Sequence, residues 1–176
     1  MTQRRTSQSG YNLVEVLVAM GLLASVLISI VTLFVMGRKN VYSGKQMTRA
    51  VSVATSVNED LIPLNPARTW EAFGIDASDS VSDQLVHGVT YEDAILRSTD
   101  DLSDDVEGYL ARWLDLIPQQ RLADARVTLI LQPRELVDSS DVTTARLIQI
   151  KIIVEWDEAR RHRSVVLESA KLNRRA

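Results

Sequence analysis

The sequence predicts an α+β fold: a long N-terminal helical spine, half transmembrane and half amphipathic, packed on a small antiparallel β-sheet head. Three observations carry that prediction. Residues 16–36 are 21 consecutive uncharged residues. Apolar residues then continue at helical spacing as far as Leu61. From residue 126 onward the apolar period becomes two, the mark of strands. At 176 residues, 45% hydrophobic and 24% charged, the chain has the size of one ordinary domain and the composition of a folded one. It has no cysteine, which excludes disulfides, thiolate metal sites and cysteine nucleophiles together. A net charge of -3 gives no global attraction for nucleic acid or anionic lipid.

The apolar run comes first. At about 1.5 Å per residue, residues 16–36 reach about 31 Å, against a hydrocarbon core of about 30 Å. A helix is the form in which one segment satisfies its own backbone groups in lipid. A secretory signal peptide has a shorter apolar region and an A-x-A-like cleavage site, and no such site follows here, so a membrane anchor is the better reading. Arg4 and Arg5 precede the run while Arg38, Lys39 and Lys45 follow it, so charge alone leans toward leaving the C-terminal part inside. Glu15 stands at the start of the run between Val14 and Val16. A carboxylate there either snorkels to the headgroups or needs a partner in lipid.

The string from Gly10 through Tyr11, Asn12, Leu13, Val14 and Glu15 to Met20 resembles the N-terminal signal of type IV pilins and type II secretion pseudopilins. That signal is a short basic leader, a glycine before the cut, an aromatic residue after it, a glutamate as fifth mature residue and an apolar helix. The resemblance implies a pilin-like fold, with residues 1–10 as leader, 11–36 as the transmembrane and assembly half of the helix, 37–62 as its periplasmic half, and 63–176 as a periplasmic head. It implies cleavage between Gly10 and Tyr11 by prepilin peptidase, N-methylation of the new Tyr11 amine by the same enzyme, and an assembly role for Glu15. In a filament Glu15 would neutralise the Tyr11 amine of a neighbouring subunit. Losing one partner of such a buried pair costs about 3–5 kcal/mol. The implied partners are other pilin or pseudopilin subunits, the peptidase, an inner-membrane assembly platform and membrane lipid. The implied location is the inner membrane, single-pass, with extraction into a type IV pilus or a type II secretion pseudopilus. Tyr11 replaces the commoner phenylalanine, Asn12 stands where threonine or serine is frequent, and Thr32 stands where many major pilins carry a kinking proline. The lack of cysteine also departs from the disulfide-closed loop of many major pilins. Both point to a minor pilin or pseudopilin.

Beyond the membrane, Met47, Ala50, Val51, Ala54, Val57 and Leu61 form the expected buried stripe, with Lys45, Arg49, Ser52, Ser56 and Glu59 opposite. Pro63 and Pro66 stop the helix. Gly37 and Gly44 mark the place for a bend, and a linker over 37–44 is the alternative. Residues 63–97 show no sustained period and read as irregular. Val106, Tyr109, Leu110, Trp113, Leu114 and Ile117 make one face of a short helix, capped by Ser103 or Asp104 and stopped by Pro118. Strands follow over 126–132 and 145–156. In the second, Ile148, Ile150, Ile152, Val154 and Trp156 share a face opposite Gln149, Lys151 and Glu155. A return over 162–169 closes a hairpin or meander.

The candidate chemistry is sparse. The carboxylates of residues 100–107 invite a calcium reading, since some pseudopilins bind that ion, but they lack the alternating spacing and central glycine of an EF-hand, and a helix cap explains them. Arg160, Arg161, His162 and Arg163, echoed by Lys171, Arg174 and Arg175, suggest a DNA-binding tip. A solvated turn and a frayed tail explain them better, and nucleic acid is not an expected partner. His87 and His162 belong to no HExxH, and no GxSxG or phosphate-cradling glycine loop is present. Each histidine reads as a surface or turn residue, so no catalytic residue, metal ligand or cofactor is assigned and no enzyme is expected. The rival to a filament subunit is a membrane-anchored periplasmic binding module, calcium- or DNA-binding, outside any filament.

Overall fold

The computed structural model describes residues 13–73, 75, 81–99, 109–122, 124–138, 141–158 and 161–172. It is an α+β arrangement of a long apolar N-terminal helix and a five-stranded antiparallel sheet. Helix α1 spans Leu13–Leu61, and residues 37–44 keep helical structure in place of the alternative linker. By contacts the chain divides into two units, the first ending at Ser43 and the second starting at Gly44.

In the first unit residues 13–42 are all exposed, and this stretch is the one helical segment among the described residues long and apolar enough to cross a membrane. Three of its hydroxyls bond back to the helix itself. Ser25 Oγ donates to the Leu22 carbonyl at 2.8 Å, Ser29 Oγ to Ser25 at 2.9 Å and Thr32 Oγ1 to Ile28 at 2.8 Å. Each hydroxyl proton is thereby satisfied without water, as lipid requires.

The second unit is built on the remainder of α1. Its buried stripe is Gln46, Ala50, Val53, Ala54, Val57 and Leu61. This stripe differs from the expected one: Met47 and Val51 are 49% and 42% exposed while Val53 is buried. After Leu61, residues 63–97 are not irregular as expected. They hold a short helix α2 (Pro66–Ala72) and a hairpin of β1 (Ser82–Val86) and β2 (Val89–Ser98). Pro66 sits in the first turn of α2, where its missing N–H costs nothing, and the Asn65 side chain caps the Arg68 N–H at 2.7 Å. Helix α3 (Tyr109–Gln119) carries Pro118 in its last turn, so the stop falls at Gln119, one residue past the predicted proline. The expected caps Ser103 and Asp104, with the whole acidic run 100–107, lie outside the described residues.

Strands β3 (Arg126–Leu136), β4 (Ala145–Glu158) and β5 (Arg161–Leu172) complete a meander in the order β1-β2-β3-β4-β5. Ile148, Ile150, Ile152 and Val154 face α1 as the alternation predicted, joined by Val127, Leu129, Leu131, Trp70, Phe73 and Trp113 in one core. Residues Val127–Pro133 of β3 are buried on both faces, and β2 supplies the reason. Its C-terminal part pairs with β3 from Ile95↔Leu131 to Ser98↔Thr128, while its N-terminal part pairs only with β1. The change falls at Asp93, whose φ of 50° and the register shift opposite it mark a bulge. The β1–β2 hairpin therefore lies against the outer face of the sheet, where Val86 and Ala94 pack on Ile130 and Ile153 in a second, smaller core.

Candidate functional site

Three sequence-predicted positions belong to the N-terminal segment. Gly10 and Tyr11, the expected cleavage pair, lie outside the described residues. Glu15 lies in the first turn of α1 and is exposed, beside a shallow apolar groove formed with Val16, Ala19, Met20 and Leu23. An acidic group there complements the positive end of the helix dipole. Nothing else in the described chain covers this groove, so the carboxylate and its apolar surround form one open surface.

The second cluster was not assembled from the sequence. The β1–β2 turn is a two-residue loop, His87-Gly88, with φ of 50° and 78°. Both values are positive, as the favoured type I′ hairpin turn requires, and Gly88 is the residue that adopts such a φ without strain. The turn carries the His87 ring over the outer face of β4. There it meets Glu155, which is only 3% exposed, with His87 Nε2 against Glu155 Oε1. His162 Nε2 lies 3.1 Å from the same Oε1. His162 is the cross-strand neighbour of Asp157 in the β4–β5 ladder, and its Nδ1 is 3.1 Å from Asp157 Oδ1. The two rings lie 5.6 Å apart, centroid to centroid. Hydrogen bonding to Glu155, then to Asp157, raises the His162 pKa above its ordinary value.

Glu155 lies on the polar side of β4, as the alternation predicts, but that side is not open to water at this end because the hairpin covers it. One sequence signal for the cluster existed: Gly88 lies between Leu85-Val86 and Val89-Thr90-Tyr91, where a glycine marks a turn. What no local pattern carries is the bend at Asp93 that folds the turn onto β4.

The predicted basic cluster is largely matched by acids. Arg163 Nε lies 3.5 Å from Glu158 Oε2 and His162 faces Glu155 and Asp157. Arg160 lies outside the described residues, as do Arg174 and Arg175. Lys171 is not part of a frayed tail. It sits in β5, and its Nζ donates to the Leu61 carbonyl at 2.8 Å and to Thr69 Oγ1 at 3.1 Å, closing the C-terminal end of α1. Desolvation lowers its pKa. Further along the outer face Lys151 pairs with Glu168 at 2.6 Å and lies 4.7 Å from the Tyr91 ring centroid. No family model, curated protein or solved structure matches the chain.

Proposed function

We propose that this chain is a minor pilin or pseudopilin subunit, cleaved between Gly10 and Tyr11, N-methylated on Tyr11 and assembled through its N-terminal helix into a type IV pilus or type II secretion pseudopilus. The observation that carries this reading is an apolar helical surface from Leu13 to Met36 that the chain leaves uncovered, interrupted by one carboxylate, Glu15. Lipid accounts for the apolar part before assembly, and neighbouring helices account for it afterwards. A carboxylate at one end of that surface gives the packing a register, because only one alignment brings it to a neighbour's Tyr11 amine. In the second unit Met47 and Val51 are also exposed on α1 and offer apolar contact to a neighbouring subunit. The sheet head then serves contact with partner subunits and not catalysis.

Substitution of Glu15 by alanine tests the reading in cells. The variant is processed normally and remains in the membrane. A mispaired amine at about 3–5 kcal/mol per contact lowers its entry into sheared filaments more than about tenfold. Entry equal to the wild type removes the assembly role of Glu15. The rival membrane-anchored binding module predicts that equality, together with full function of a fragment lacking the helix.

A further inference from the structure

We propose that His87, Glu155 and His162 form a binding site for a divalent transition cation of the zinc type, and that the bound ion fastens the β1–β2 hairpin to the β4–β5 end of the sheet. The chain has two histidines, 75 residues apart in sequence, and both meet at one buried carboxylate. One ligand atom from each of the three residues lies within 4.8 Å of the other two. A tetrahedral zinc ion with bonds of about 2.0–2.1 Å holds its ligand atoms about 3.3 Å apart, so closing the set needs only small side-chain rotations. The His162–Glu155 separation of 3.1 Å is already there.

The surroundings match the donor set. His162 turns Nδ1 toward Asp157 and Nε2 toward the site. With its proton on Nδ1, donated to Asp157, the ring presents the Nε2 lone pair to an ion, the arrangement in which a carboxylate orients a metal-binding histidine. In the absence of an ion a proton on Nε2 donates to Glu155, and a bound ion takes the place of that proton. Glu155 and Asp157 give the cluster two carboxylates beside its two imidazoles. Arg126, the cross-strand neighbour of Glu155 on β3, is exposed and offers no ligand atom. Two imidazoles and a carboxylate select zinc-type ions over calcium, which takes oxygen ligands. The half-exposed rings, at 47% and 57% side-chain exposure, leave the fourth position open to water. His87, Glu155 and His162 come from a turn and two strands, so an ion here joins elements that the short β2–β3 ladder alone would hold loosely.

The test is titration of Zn²⁺ into the untagged full-length chain in detergent, after chelator treatment, with 15N-labelled histidine rings observed by NMR. One ion binds per chain and shifts the Nε2 resonance of both rings. His87→Asn removes one ligand while keeping a residue suited to the type I′ turn. His162→Ala removes another from an exposed edge strand. Each weakens binding more than about 100-fold with unchanged circular dichroism, while Asp157→Asn weakens it about 10–100-fold. Absence of saturable binding by the wild type overturns the site. Binding that survives His87→Asn or His162→Ala, or that shifts only one ring, overturns it equally.

Discussion

At the residue scale, Lys171 shows how a charge that looks idle in the sequence becomes structural. The last carbonyls of a helix have no partner within it, and a cation there also meets the negative end of the dipole. Lys171 meets both needs at Leu61, and Ser169 beside it on the same face of β5 donates to Asn58 at 2.7 Å. The sequence gives its basic character but not its partners, because they lie 110 positions away. Lys171→Met keeps much of the side-chain volume and removes the bonds, with an expected loss of about 1–2 kcal/mol in urea unfolding. No change in the urea midpoint contradicts the cap. Glu155 presents the same lesson with the opposite charge: its side of β4 was legible from the alternation, its burial was not.

At the scale of elements, the strands with long apolar alternation were legible. β3, β4 and β5 appear close to where Val127, Ile150 and Val165 place them, each extended by a few residues. The β1–β2 hairpin was not, because Ser82–Val86 is short and largely exposed and Val89–Ser98 breaks its own pattern at Asp93. Its stability rests on a small contact with Ile130 and Ile153 and on the two-residue turn. Ile153→Ala therefore costs about 2–4 kcal/mol and loosens the hairpin before the rest of the sheet. Hydrogen exchange checks this: amides of 82–94 lose protection first, and uniform loss across the sheet contradicts a separately docked hairpin. Gly88→Ala meets no steric obstruction but puts a side chain at φ +78°. It costs about 1–2 kcal/mol in thermal unfolding, and a neutral result contradicts the turn geometry.

At the scale of the whole molecule, the division at Ser43/Gly44 separates a helical segment whose described residues up to 42 are all exposed from a unit with a packed interior. The segment before it has no core and matches lipid or neighbouring helices, whereas the unit after it contains both cores. A fragment starting at Gly44 is accordingly expected to be folded and monomeric in buffer without detergent, as checked by circular dichroism and sedimentation. Aggregation of that fragment would mean that the first unit supplies part of the head's burial. The membrane-length helix and the helix-plus-sheet composition were legible because period and length are local properties of the chain. The meeting of His87 with Glu155 depends on topology, which no window of sequence contains.

Processing of this helix for assembly is read from the intact mass of the protein recovered from native membranes. The expected mass is that of Tyr11–Ala176 increased by one methyl group. A chain still beginning at Met1 or Thr2, in cells with an active prepilin peptidase, would contradict it and leave the helix as an anchor only.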